Sequence, residues 1–233
     1  MNKQVKYAII LSILIVLLFA GYAIYQVKNQ SSSFIKEVNP NLTEEQRKTF
    51  EDRLLEAEKQ LQMVSSNEDK YNWTIEEANN HIALGQLSLA KEALENAIKL
   101  NGSRVSAYVL MEQVKVNMTD YNGARESILK AIAIRPESAD IWKKYIQLEI
   151  DHFSADNNTI TTLYSDAINK TNNSIDIITV YASWLEGAGN LQAAKEYWLK
   201  AIEVNPKNKP AYDAEIKRLD EKLKVQNNEN TQK

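Results

Sequence analysis

A pair of alanines with a fixed gap recurs along the chain, and this recurrence constrains the fold more than any other feature. Ala90 and Ala97 return as Ala124 and Ala131, and the same gap appears again at Ala194 and Ala201. Each second alanine opens a short run: AIKLNG at 97–102, AIAIRP at 131–136 and AIEVNP at 201–206. The step from Ala90 to Ala124 matches a period of about 34 residues, the length of one helix–turn–helix unit, and such units bury their apolar faces only by stacking on each other. Alanine belongs where two helix backbones approach closely. Gly85, Thr119-Asp120-Tyr121 and Gly189-Asn190 supply the turns between paired helices, and Pro136 and Pro206 stop the second helix. The expected fold is an all-α solenoid of four units at 71–104, 105–138, 139–174 and 175–208, the third slightly longer than the others.

These features resemble the tetratricopeptide repeat (TPR). Tyr108, Ala124, Ile128, Ala131 and Pro136 sit at the family's positions in the second unit, and Tyr181, Ala182, Gly189, Ala194, Trp198, Ala201 and Pro206 do so in the fourth. The first unit departs in its opening helix, where Glu77 and His81 fall at positions that are usually buried. In the third, Trp142, Tyr145 and Glu149 resemble the half-a-TPR variant, and Tyr164 and Ala167 recover the second helix. The resemblance implies a curved stack whose opening helices line a concave groove that binds a protein or peptide. It maps groove positions onto Asn72, Ile75, Asn79 and Ile82, then Ser106, Val109, Gln113 and Val116. The third and fourth sets are Asp140, Lys143, Gln147 and Ile150, then Asp176, Thr179, Ser183 and Glu186. Ile75, Asn79, Val109, Gln113, Val116, Lys143 and Gln147 are the candidate partner-binding residues. The amides suit the backbone of an extended peptide, and the apolar members suit its side chains. Ile75 stands where carboxylate-clamping relatives carry lysine, which argues against a chaperone-tail clamp.

Ahead of the repeats, residues 7–27 carry no charge, and Ile9–Phe19 is almost purely aliphatic. A helix of that length spans about 31 Å, matching a hydrocarbon core of about 30 Å. Its ten strongly apolar residues favour insertion by roughly 3 to 6 kcal/mol. The expectation is a single transmembrane helix after a short flank, 1–6. A cleaved signal peptide is the rival, with Gly21-Tyr22-Ala23 as its cleavage site, but signal cores run about 7–15 residues. Lys3, Lys6 and the α-amine place the N-terminus in the cytoplasm and the repeats outside by a narrow margin. Residues 28–42 are polar and read as a flexible linker of about 20 Å reach. Thr43-Glu44-Glu45-Gln46 fits a capping box that opens a helix over 43–64 with Phe50, Leu54, Leu55, Leu61 and Met63 as its apolar stripe. Ser65 to Tyr71 reads as a polar break. After the repeats, 209–225 is expected as a capping helix with Tyr212, Ile216, Leu219 and Leu223 on one face, and 226–233 as a disordered tail.

The residues supply little for chemistry. The chain has no cysteine and two histidines, His81 and His152, too far apart in sequence to form a metal motif. Glu44-Glu45 and Glu76-Glu77 read as helix-cap and solvent-face charges, and Trp142, Trp184 and Trp198 as packing residues. Asn-x-Ser/Thr sequons at Asn41, Asn72, Asn101, Asn117, Asn157 and Asn172 follow from an Asn-rich composition. Residues 28–233 hold 26 bases against 31 acids, a poor match to nucleic acid. The expectation is a membrane-anchored scaffold for a protein or peptide, with no enzyme activity, cofactor, metal, nucleic acid or small-molecule substrate. It resembles accessory factors or chaperones of envelope complexes. The alternatives are an import-receptor-like protein facing the cytosol and a non-catalytic subunit of a membrane enzyme complex.

Overall fold

The computed structural model of the protein describes residues 39–231. Ten α-helices follow one another among the described residues: α1 Glu44–Met63, α2 Asn67–Leu84, α3 Leu87–Leu100, α4 Val105–Asn117, α5 Tyr121–Ile134, α6 Ala139–His152, α7 Asn157–Lys170, α8 Ile175–Gly187, α9 Leu191–Val204 and α10 Lys209–Thr231. A short 3₁₀ turn, Pro206–Asn208, precedes the last. Units pair α2 with α3, α4 with α5, α6 with α7 and α8 with α9, and each packs on the next. The chain is an all-α solenoid.

The recurring alanines sit at the helix contacts. Ala90, Ala97, Ala124, Ala131, Ala167, Ala194 and Ala201 are fully buried. A methyl group is all that these backbone-to-backbone approaches leave room for. The third unit breaks the pattern by carrying Ile160 where the others have Ala90, Ala124 and Ala194. Ile160 and Tyr164 are buried, and α7 packs less extensively on its neighbours than the other closing helices do. Aromatic rings fill the wider gap: Tyr164 stacks on Tyr181 at 4.6 Å, and Tyr197 meets Tyr181 edge-on at 4.4 Å.

The turns follow from the same register. Gly85 and Gly189 adopt left-handed φ of 81° and 80°, and Thr119, in the same repeat position, is held at 59°. A β-branched residue is strained there. Thr43 caps α1 as a capping box, its Oγ1 accepting from Gln46 N at 3.2 Å while its own N–H donates to Gln46 Oε1 at 2.9 Å.

The array has half a unit at each end. In α1, Ala57 and Leu61 precede Ala90 and Leu94 by close to one repeat, and Ala57 is fully buried. This makes α1 a closing-type helix without an opening partner among the described residues. In α10, Tyr212 and Leu219 follow Ile178 and Leu185 by one full repeat, and all four are buried. It is an opening-type helix that covers the last pair.

Several expectations need correction. The polar break is shorter than Ser65–Tyr71, because Ser66 Oγ accepts from Asp69 N and starts α2 at Asn67, which leaves Tyr71 buried inside the helix. The apolar stripe of α1 is narrower than expected. Phe50, Leu54 and Leu61 share the face of Ala57, whereas Leu55 and Met63 are 66% and 69% exposed. Each residue turns about 100°, which puts Leu55 nearly opposite Ala57. The end of the expected linker is fixed: Asn39 donates from its backbone to Leu84 O at 2.9 Å and from its side chain to Ala83 O at 3.1 Å. Those carbonyls are left over at the C-terminus of α2, and Asn39 fills them. The helix α10 runs to Thr231, into the segment expected as a disordered tail, since Gln226–Thr231 contains neither glycine nor proline to stop it. The expected transmembrane stretch 7–27 lies outside the described residues. Among these, no helix is long and apolar enough to cross a membrane.

Enlarging a close-approach alanine tests this packing: Ala124→Leu should cost about 2 kcal/mol or more in thermal unfolding, while exposed Ala133→Leu stays within about 0.5 kcal/mol. Relieving the strained turn should do the reverse, with Thr119→Gly adding about 0.5–1 kcal/mol.

Candidate functional site

Opening helices approach one another, α2 with α4 and α6 with α8, whereas no two closing helices among the described residues come as close. In a curved stack the shorter spacing lies on the inside, so α2, α4, α6 and α8 line the inner face. The repeat then sets side chains in rows across it. Asn79, Gln113 and Gln147 stand one repeat apart and all are exposed, with Ser183 exposed on α8. Ile75, Val109 and Lys143 form a second row at the same spacing, each half-buried. Ile82, Val116 and Ile150 form a third, also half-buried. Adjacent helices lie about 8–10 Å apart, so each row offers one side chain per helix at that interval. A line of amides flanked by an apolar row and by a row that ends in Lys143 can hold an extended backbone and receive its side chains.

Two of the candidate residues are engaged within their own helix. Lys143 Nζ lies 2.7 Å from Asp140 Oδ1, and that hydrogen bond raises the lysine's pKa and lowers the aspartate's. Gln147 Nε2 donates to Asp151 Oδ1 at 2.7 Å, which leaves its carbonyl free to accept. Ile75 packs against the core of the first unit, and Val109 and Val116 pack against that of the second. A neighbouring row escaped the sequence reading: Glu76, Leu110, Lys144 and Val180, with Val180 40% exposed. Its signal was the same period, one position further on.

Polar rungs join successive opening helices. Arg104, at the start of α4, reaches back to Asn72 Oδ1 and Glu68 Oε1 on α2, both at 2.8 Å, with its guanidinium 4.9 Å from the Tyr71 ring centroid. Lys144 of α6 faces Glu112 of α4 at 3.8 Å. Arg218 and Lys222 of α10 both clasp Glu186 of α8, the lysine at 2.7 Å. Glu186, one of the mapped groove positions, is therefore occupied by the capping helix. The Arg218 hydrogen bond, aided by Lys222, pulls its carboxyl down to about 2.

Glu112 is the odd member. It occupies the position held by Ala78 and Ala182 in other units, so it is buried for want of space. Burial pushes its carboxyl up, Lys144 only partly opposes this, and Oε2 has no hydrogen bond. Another polar side chain in an ordinarily apolar position, Glu149, is satisfied: Arg125 grips it through two bonds of 2.6 and 2.5 Å while stacking on Phe153.

The candidate chemistry groups are placed apart. His81 shares a hydrogen bond with Gln86 Oε1 at 2.7 Å, and His152 stacks on Tyr121 at 3.9 Å. Burial raises the pKa of Glu77, partly opposed by nearby His81 and reinforced by the charges of Glu58 and Glu92. Among the described residues no group of acids and histidines is placed to hold a metal. Trp142 and Trp198 are buried packing residues, the former donating to Pro136 O at 2.8 Å.

Residues 177–208 match the family model of the tetratricopeptide repeat. Among solved structures, two of MamA share the fold. One has TM-score 0.53 and 18% identity over 73% of this chain and 98% of that one; the other has TM-score 0.52 and 18% identity over 70% and 86%. PilF of Pseudomonas aeruginosa is similar at TM-score 0.51 and 18% identity, covering 69% of this chain and 72% of that one. No curated protein matches the chain. The family match falls on the fourth unit, α8 with α9, and the structural likeness extends the same repeat fold over the other units.

The Glu186 clasp has a pH signature. Its carboxyl is depressed, so its contribution is complete above the ordinary value near 4.5 and is lost as pH falls toward about 2. Glu186→Gln should lower the melting temperature at pH 7 by about 2–4 °C, roughly 1 kcal/mol given its solvent-exposed partners, and should match the parent near pH 2.

Proposed function

We propose that this chain is a membrane-anchored TPR scaffold that holds a protein or peptide partner along the inner face of α2, α4 and α6. The observation that carries the reading is the exposed amide row Asn79, Gln113 and Gln147 between two half-buried rows, apolar except for Lys143, set on helices that the alanine contacts hold in fixed register. Preformed rows of this kind lower the ordering cost of binding an extended chain. The anchor is residues 7–27, a stretch whose length and apolarity suit one bilayer span. Tethering raises the local concentration of whatever the groove holds, which suits an accessory factor or chaperone of envelope complexes with the repeats on the extracytoplasmic side. The third unit is of the half-a-TPR kind, a reading supported by the Trp142, Tyr145 and Glu149 spacing.

Crosslinking of the full-length chain in its native membranes, followed by mass spectrometry, tests the scaffold. A defined set of attached proteins should appear, and Val109→Glu and Lys143→Glu should each reduce it by about ten-fold, as expected for losing an interface residue worth above about 1 kcal/mol. Attachment that survives both changes would move the partner to the outer face or to α1. Protease treatment of intact membranes tests sidedness, with cleavage from the cytosolic side contradicting the extracytoplasmic placement.

A further inference from the structure

The charges on the two kinds of helix differ. The four opening helices, α2, α4, α6 and α8, carry 10 acids and 4 lysines, whereas the closing helices α3, α5, α7 and α9 carry 6 acids and 7 bases. From this segregation, and resting on the inner face as the binding surface, we infer that the partner segment is basic: extended, with Lys or Arg recurring among apolar residues.

Pairing inside the groove points the same way. Its cations other than Lys70 are already committed: Lys143 to Asp140, Lys144 toward Glu112, and Arg104 to Glu68. Lys115 donates to Gly123 O at 3.2 Å, and Arg218 and Lys222 share Glu186. An acidic ligand would meet no uncommitted cation among these. The carboxylates are in surplus. Glu76 on α2 has no ion pair among the described residues, and Asp151 on α6 accepts only from the neutral amide of Gln147. Asp176 on α8 feels Lys143, an ammonium that Asp140 already holds. On α4, Glu112 is 6% exposed with Oε2 lacking any donor, and the nearest ammonium stops at 3.8 Å. Glu112 is closed to a ligand, but α2, α6 and α8 each present a reachable carboxylate, Glu76, Asp151 and Asp176, whose demand for a cation is not fully met.

The spacing gives the ligand a register. Opening helices repeat at about 8–10 Å, and an extended chain rises about 3.3 Å per residue, so one helix corresponds to about three ligand residues. The amide row takes the ligand backbone, the row of Ile82, Val116 and Ile150 takes its apolar side chains, and cations spaced at about one per helix meet Glu76, Asp151 and Asp176. Such pairing is long-ranged at low salt and fades with screening.

Three synthetic peptides of about 15 residues, long enough to cross the groove at about 3.3 Å per residue, test this with the full-length chain in detergent micelles, by fluorescence anisotropy. All share a Val/Thr/Ile framework and differ at every third position, which is Lys, Gln or Glu. The lysine peptide should bind at least about ten-fold more tightly than the glutamine peptide at about 50 mM salt, and within about three-fold of it at about 500 mM. Glu76→Gln combined with Asp176→Asn should cut that preference to about three-fold or less while the glutamine peptide still binds. Equal binding of the lysine and glutamine peptides, or a preference for glutamate, overturns the basic-segment inference while the groove stands, provided Gln113→Ala weakens binding. Binding indifferent to Gln113→Ala and Val109→Glu, or no binding by any of the three peptides, overturns the groove itself and the inference with it.

Discussion

Everything in this molecule depends on how closely its helices can approach. Seven buried alanines set the spacing, and each is a point where two backbones meet with no side chain larger than a methyl between them. Close approach aligns successive units in register, and register turns the period in sequence into straight rows of side chains in space. The exception shows the rule at work. Where Ile160 replaces alanine, the third pair is held less closely, and the Tyr164–Tyr181 stack supplies the buried area that the alanine contact would have given. Burial there is deep enough to push the Tyr164 hydroxyl up to about 12.

A second layer of interaction ties opening helices to one another. Arg104, Lys144, Arg218 and Lys222 each reach one opening helix back, to an acid about one repeat earlier in the chain. These rungs lie along the inner face, where helices are near enough for long side chains to bridge. Individually they are weak, since most are partly exposed. Together they engage Arg104, Lys144, Arg218 and Lys222 with Glu68, Glu112 and Glu186. The clasp on Glu186 also closes the C-terminal end of that face.

The fold was legible because its constraint is a period, and periods survive in a sequence with little else in common with its relatives. Alanines, turn glycines and helix-ending prolines were enough to give the all-α repeat architecture. The resemblance to the repeat family, not the period alone, implied Asn79, Gln113 and Gln147 as groove positions, and the period sets them one repeat apart. What the period does not carry is pairing. Nothing in the sequence links Asn39 to the far end of α2, or Arg104 to Glu68. The burial of Glu112 was equally hidden, since a glutamate on a mixed-charge helix reads as a solvated face until the neighbouring units show alanine in its place. Short helix signals also misled at the ends: Tyr71 looked like the edge of a break and lies inside a helix, and the polar tail after Val225 continues as one.

The central claim is that partners meet the inner face of the opening helices. A photoreactive amino acid placed at Gln113, on that face, and in a separate chain at Leu129, exposed on the closing helix α5, would test it in living cells. A discrete crosslinked species is expected on illumination of the Gln113 chain and none from the Leu129 chain. Crosslinking from Leu129 with silence at Gln113 would place the partner on the outer face and contradict the claim.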